Sequence, residues 1–167
     1  MTTTSPGRGR LLLNFWIDLI SLIPFLICLA TGLAIQTNYH FHHLPDSTLL
    51  WGGDRQFWQG VHLCSACATL SVLIPHILLH LRWFKTAVFR NSSLGAGQRR
   101  WTLALGAVFL LTVMTSLLSL PLIPGSGLHH LFIEIHDKLG LLLIPPATYH
   151  LLHGGRWLLK IGRRLMT

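Results

Sequence analysis

Acidic side chains are scarce in this chain. Asp and Glu number 5 against 13 Lys and Arg, and charged residues make up 11% of the 167 positions. With a mean hydropathy of +0.54, so few charges exclude an ordinary soluble domain. Cysteine is also rare, at 3 residues. Cys28, Cys64 and Cys67 all sit inside apolar runs, which excludes a disulfide framework. Ala68 follows Cys67 where a C-x-x-C-H cofactor-attachment motif needs histidine, so the three cysteines read as small residues that admit a close neighbour. No nucleophile motif, phosphate-binding loop or substrate-pocket signature is present. The chain therefore reads as a subunit of a complex rather than an enzyme alone.

What the sequence has in quantity is long apolar runs. A hydrocarbon core about 30 Å thick takes roughly 20 residues of helix, and windows near 11–35, 57–83, 101–121 and 131–157 are long enough. The expected fold is all-α, a four-transmembrane-helix up-down bundle forming a single membrane domain over 1–167. Arg8 and Arg10 precede the first run in the manner of a signal peptide. That run is too long for a signal h-region and no convincing small-x-small cleavage site follows, so it is expected to remain as a helix.

The net charge of +8 invites a nucleic-acid partner, but its distribution points to a membrane. Arg8, Arg10, Arg82, Lys85, Arg90, Arg99, Arg100, Arg156, Lys160, Arg163 and Arg164 are eleven of the 13 basic residues, and four crossings put them all on one side. Only Arg55 and Lys138 fall on the other side, beside Asp46, Asp54, Glu134 and Asp137. The positive-inside rule then sets both termini in the cytoplasm. Lipid is the expected surroundings, and no nucleic-acid partner is expected.

The second run is repeated in the fourth. A shift of 74 positions carries His62 onto His136, His76 onto His150, Arg82 onto Arg156 and Trp83 onto Trp157, without a gap. Within each copy the two histidines are 14 residues apart, about 1,400° of helix at about 100° per residue and about 21 Å of axis. Each helix thus carries two imidazoles on one face at two depths. Two parallel helices of this kind present two facing pairs, His62 with His136 and His76 with His150. Two imidazoles closing on one centre is the axial ligation of a b-type haem, so two haems b are the expected cofactors. Arg55 on the outer side, and Arg82 and Arg156 on the inner side, are candidate propionate partners. His80 lies 18 residues from His62, five turns on the same face, and competes with His76. The shift of 74 carries it onto Gly154, whereas His153 matches Leu79, so register favours His76 and His150, with His80 and His153 as alternates near the inner interface.

Other features are less specific. Asp18 is the one acid expected inside a span, and an intramembrane acid is costly. It is a candidate to pair with an arginine, to lie at a haem edge, or to take a proton from a quinol; or it lies shallow and pairs with an interfacial arginine or lysine. Five of the 11 histidines, His40, His42, His43, His129 and His130, fall in outer loops, as solvated side chains or a docking surface rather than a metal site. Pro75, Pro145 and Pro146 precede the inner histidines and are tolerated where neighbours recover the freed carbonyls. Gly32 and Gly106 offer room for a flat macrocycle at the outer and inner levels respectively, or simply close helix packing.

At WGGDRQFWQGVH with HILLHLRWF, and at HDKLG with YHLLHGGRW, the chain resembles the bacterial four-helix di-haem membrane cytochromes b, in particular the flavinylation-associated branch. More distantly it is similar to formate dehydrogenase gamma and hydrogenase b-type cytochrome subunits. The resemblance implies haem ligation at His62, His76, His136 and His150. It also implies a multi-pass protein of the bacterial inner (plasma) membrane. Such a protein moves electrons between a quinone pool or redox partner and a flavoprotein, iron–sulfur or cytochrome subunit. The His129–His130 pair has no counterpart in that pattern. Two other classes compete: a histidine-lined metal-ion or proton carrier, and a cofactor-free membrane anchor. The carrier wants carboxylate or thiolate co-ligands beside the mid-depth histidines, and the spans are expected to offer little of that.

Overall fold

The computed structural model describes residues 6–89, 96–120 and 124–166. The chain is all-helical: α1 is Pro6–Ile35, continued by a π-helical segment Gln36–Phe41; α2 is Arg55–Phe89; α3 is Ala96–Ser119; and α4 is Gly127–Met166. Pro24, Pro75, Pro145 and Pro146 all lie within these helices. Among the described residues three helices are long and apolar enough to cross a membrane, over Gly9–Phe41, Arg55–Leu81 and Gly97–Ser119. α4 is longer, at 40 residues, but Glu134, Asp137 and Lys138 occupy its early turns and Lys160, Arg163 and Arg164 its last ones. Between them, residues 139–155 carry no charged side chain. All four helices run past the sequence-based windows at one end or both. α2 and α4 continue into basic segments that hydropathy alone assigns to the headgroup region.

The helices fall into two compact units, one of residues 1–90 with 155–167 and the other of residues 91–154. In the first, α1 and α2 pack closely as an antiparallel pair. The side chains buried between them are small: Thr31 on α1, Ser65 and Thr69 on α2. Each hydroxyl returns its proton to its own helix, Thr31 to Ile27 O (2.8 Å), Ser65 to His62 O (2.9 Å) and Thr69 to Ser65 O (2.7 Å). The interface thus admits polar residues without orphaning them. The large apolar side chains point outward, among them Ile20, Ile23, Ile74 and Leu78. An interior of small hydroxyls under an apolar exterior inverts a soluble core and suits a lipid surround. Near the end of α4, Gly162 lies against Phe15 of α1.

The segment between the first two helices is built around α2's start. Asp54 caps that helix, its carboxylate accepting the Phe57 N–H at 2.8 Å. Leu50 and Gly53 exchange backbone hydrogen bonds at 2.8 and 3.1 Å across Trp51 and Gly52, both with positive φ (51° and 86°), the signature of a type I′ turn. Trp58 Nε1 donates to Leu50 O (2.9 Å), and buried Tyr39 donates its hydroxyl to Thr48 O (2.8 Å).

In the second unit, buried Thr115 and Ser119 on α3 repeat the same device, donating to Leu111 O and Ser116 O. Leu143, Pro146 and Ala147 of α4 are buried here.

Candidate functional site

Antiparallel packing converts sequence spacing into paired contacts. Asp18 and Gly32 are 14 residues apart on α1, as His62 and His76 are on α2. Asp18 meets His76, and Gly32 meets His62.

At the first contact, Asp18 Oδ1 accepts from His76 Nδ1 at 2.9 Å and from His80 Nε2 at 3.3 Å. The two rings stand on successive turns with centroids 4.8 Å apart. All three side chains are half-buried or more, Asp18 the most. Among the described residues this is the one group of three Asp, Glu, His or Cys side chains close enough to hold a metal ion, its ligand atoms lying within 4.8 Å of one another. The sequence-based expectation that the spans offer little carboxylate beside the histidines is corrected here. The acid was legible, but periodicity along α1 cannot say which face of α2 it meets. Its partners are imidazoles, rather than the arginine or lysine that was one of its candidate partners.

At the second contact the His62 ring lies over Gly32, where an added Cβ would stand 3.0 Å from Cε1 and 3.4 Å from Nδ1. The bare backbone of Gly32 therefore seats the imidazole. His62 Nδ1 lies 3.0 Å from Cys28 O and 3.2 Å from Thr31 Oγ1. A carbonyl only accepts, so Nδ1 carries the proton and Nε2 the lone pair. Cys28 Sγ is 3.8 Å from the same nitrogen, which gives the first cysteine its place; Cys64 and Cys67 are exposed.

In the second unit, His136 repeats this geometry, Nδ1 donating to Thr112 O on α3 at 3.0 Å. His150 is exposed on α4. His153 donates Nδ1–H to Tyr149 O of its own helix at 3.0 Å and stacks on the Tyr149 ring (4.0 Å, 27°). Tyr149 stacks in turn on Trp101 of α3 (5.4 Å, 19°). An added Cβ at Gly106 meets nothing within 4 Å, so that glycine borders open space.

The arginines are differently placed. Arg55 donates to Asp46 Oδ1 at 2.8 Å, and its other terminal nitrogen lies 3.4 Å from His40 Nε2. It is engaged in holding the loop, and His40 is part of that contact rather than purely solvated. Arg156 is exposed, while the side chain of Arg82 lies outside the described residues.

Compared with known proteins, the chain matches no protein-family model, no curated protein and no solved structure.

Proposed function

We propose that this chain is the membrane electron-transfer subunit of a redox complex and holds two b-type haems by bis-histidine ligation. His62 with His136 serves the outer level, and His76 with His150 the inner level. The pairing rests on the 74-residue register of the sequence. The observation that carries the cofactor is the donor set: His62, His76 and His136 each give Nδ1–H to an acceptor on a neighbouring helix. Fixing one ring nitrogen orients the ring and leaves the lone pair on Nε2, which is how ligating histidines are held in metal sites. His80 is held the other way round, by Nε2, and His153 by its own helix, so neither shares the arrangement.

Bound haem supplies one-electron chemistry at its iron. The protein's part is to present the imidazoles, exclude water with the apolar exterior, and offer cationic groups such as Arg156 to the propionates. α4 completes a fourth crossing through its uncharged stretch 139–155, with the basic residues and both termini in the cytoplasm. The surroundings are lipid of a bacterial inner membrane. Partners are a quinone pool on one side of the chemistry and a flavoprotein, iron–sulfur or cytochrome subunit on the other.

One observation favours a second reading, a carrier or site for a transition-metal ion: the Asp18–His76–His80 cluster has the mixed carboxylate–imidazole donors such an ion takes. Haem content of single variants separates the two. His62→Ala, His76→Ala, His136→Ala and His150→Ala should each purify with one haem, and His80→Ala and His153→Ala with two. One haem in His80→Ala with two in His76→Ala would overturn the assignment. Zinc or copper bound without haem would establish the carrier instead.

A further inference from the structure

We infer that Asp18 is the positioning residue of the inner level: its one carboxylate oxygen presents His76 as a ligand, retains His80, and lowers the inner reduction potential. This deepens the haem reading above and rests on it.

Asp18 is the only acid within the three apolar spans. Burying a carboxylate there costs free energy unless donors compensate it. Two donors do, and both reach the same oxygen, Oδ1, at 2.9 Å from His76 and 3.3 Å from His80. They differ in which nitrogen is used. His76 is gripped at Nδ1, the nitrogen nearer its backbone, so the distal Nε2 is the one presented. His80, one turn further along, is gripped at Nε2, the distal nitrogen with which it would reach a metal. A single acid therefore distinguishes two imidazoles that share a helix face and that sequence spacing alone leaves in competition.

The acceptor's chemistry also differs between levels. His62 donates to a neutral backbone carbonyl, that of Cys28, whereas His76 donates to a carboxylate. Hydrogen bonds to an ionised acceptor are roughly twice as strong as neutral ones, and a carboxylate behind a ligating histidine raises its basicity. A more basic ligand favours ferric over ferrous iron, so removing the charge shifts the inner level upward and leaves the outer level alone.

The test is a redox titration of the full-length protein in detergent, with low-temperature EPR of the oxidised form. Asp18→Asn keeps the size and an acceptor oxygen but removes the charge. It should retain two haems and raise the reduced-to-oxidised ratio of one of them about tenfold at fixed potential, about 59 mV for one electron. The other midpoint should stay put. Asp18→Ala should weaken retention of that same haem by about 10–100-fold and change its EPR signal. His80→Ala, which leaves the Asp18–His76 contact in place, should move the midpoint less than Asp18→Asn does. A readout without haem comes from nitrogen-15 NMR of labelled imidazoles in the haem-free chain, where Asp18→Ala should remove the Nδ1–H preference of His76. Unchanged midpoints and EPR signals in both Asp18 variants, with two haems bound, would overturn the inference while leaving the haem reading standing. A chain with no Soret band removes the haem reading itself.

Discussion

The imidazole of His62 rests on the backbone of Gly32, and the same ring meets Thr31 and Cys28 of that helix, 31 and 34 residues before it in sequence. An alanine Cβ at position 32 would come 3.0 Å from Cε1. The ring has little freedom to yield, because Nδ1 is held 3.0 Å from Cys28 O. Alanine gains about 0.8–1 kcal/mol of helix propensity over glycine, so Gly32→Ala should still fold. We expect it to weaken one haem about tenfold, the scale of a lost orienting contact, and Gly32→Val to lose that haem. Haem content after detergent washing reads both. Full retention in Gly32→Val would show that the seat is unimportant.

His62→Ala and His136→Ala should lose the same haem, because the repeat assigns them to one level. Reduced-minus-oxidised spectra of the two variants should superpose. Loss of spectrally different haems would break the pairing while sparing the cofactor.

The proposed orientation rests on charge: four crossings would put eleven of the 13 basic residues on one side. A cysteine at exposed Ser47, in the loop before α2, should react with an impermeant maleimide added from outside. A reporter fused after Thr167 should read cytoplasm. Labelling at 47 only after the membrane is opened would invert the topology. A C-terminal reporter on the outside would mean that α4 does not cross.

The loop before α2 is held more by Tyr39 than by its ion pair. Tyr39 is 5% exposed and donates to Thr48 O, a bond whose loss costs about 1 kcal/mol. The Arg55–Asp46 pair has an aspartate 73% exposed, and exposed pairs contribute about 0.2–1 kcal/mol. Tyr39→Phe should therefore lower unfolding stability more than Asp46→Ala, with haem content unchanged in both. The reverse order in a denaturant titration would contradict this.

Helices and their order were legible because apolar runs of spanning length leave few alternatives. The ends were not: α2 reaches Phe89 and α4 reaches Met166, since basic residues that mark a headgroup region do not stop a helix. The 74-residue repeat disclosed the histidines, but not what stands behind them. Gly32 offered room either for a macrocycle or for close helix packing, and in the structure it seats His62. Asp18 was visible as a costly acid, and its partners emerged only when α1 was laid against α2. The signal was present in the equal spacing of Asp18–Gly32 and His62–His76, but it has meaning only once those two helices are known to pair antiparallel.

A pyridine haemochromogen assay with protein quantification, on the chain purified from a haem-replete membrane, decides whether the protein holds haem. Two b-type haems per chain are expected, with a Soret band and α-band that sharpen on dithionite reduction. A chain that purifies folded with no haem, whether it carries zinc or copper or no metal at all, would contradict that expectation.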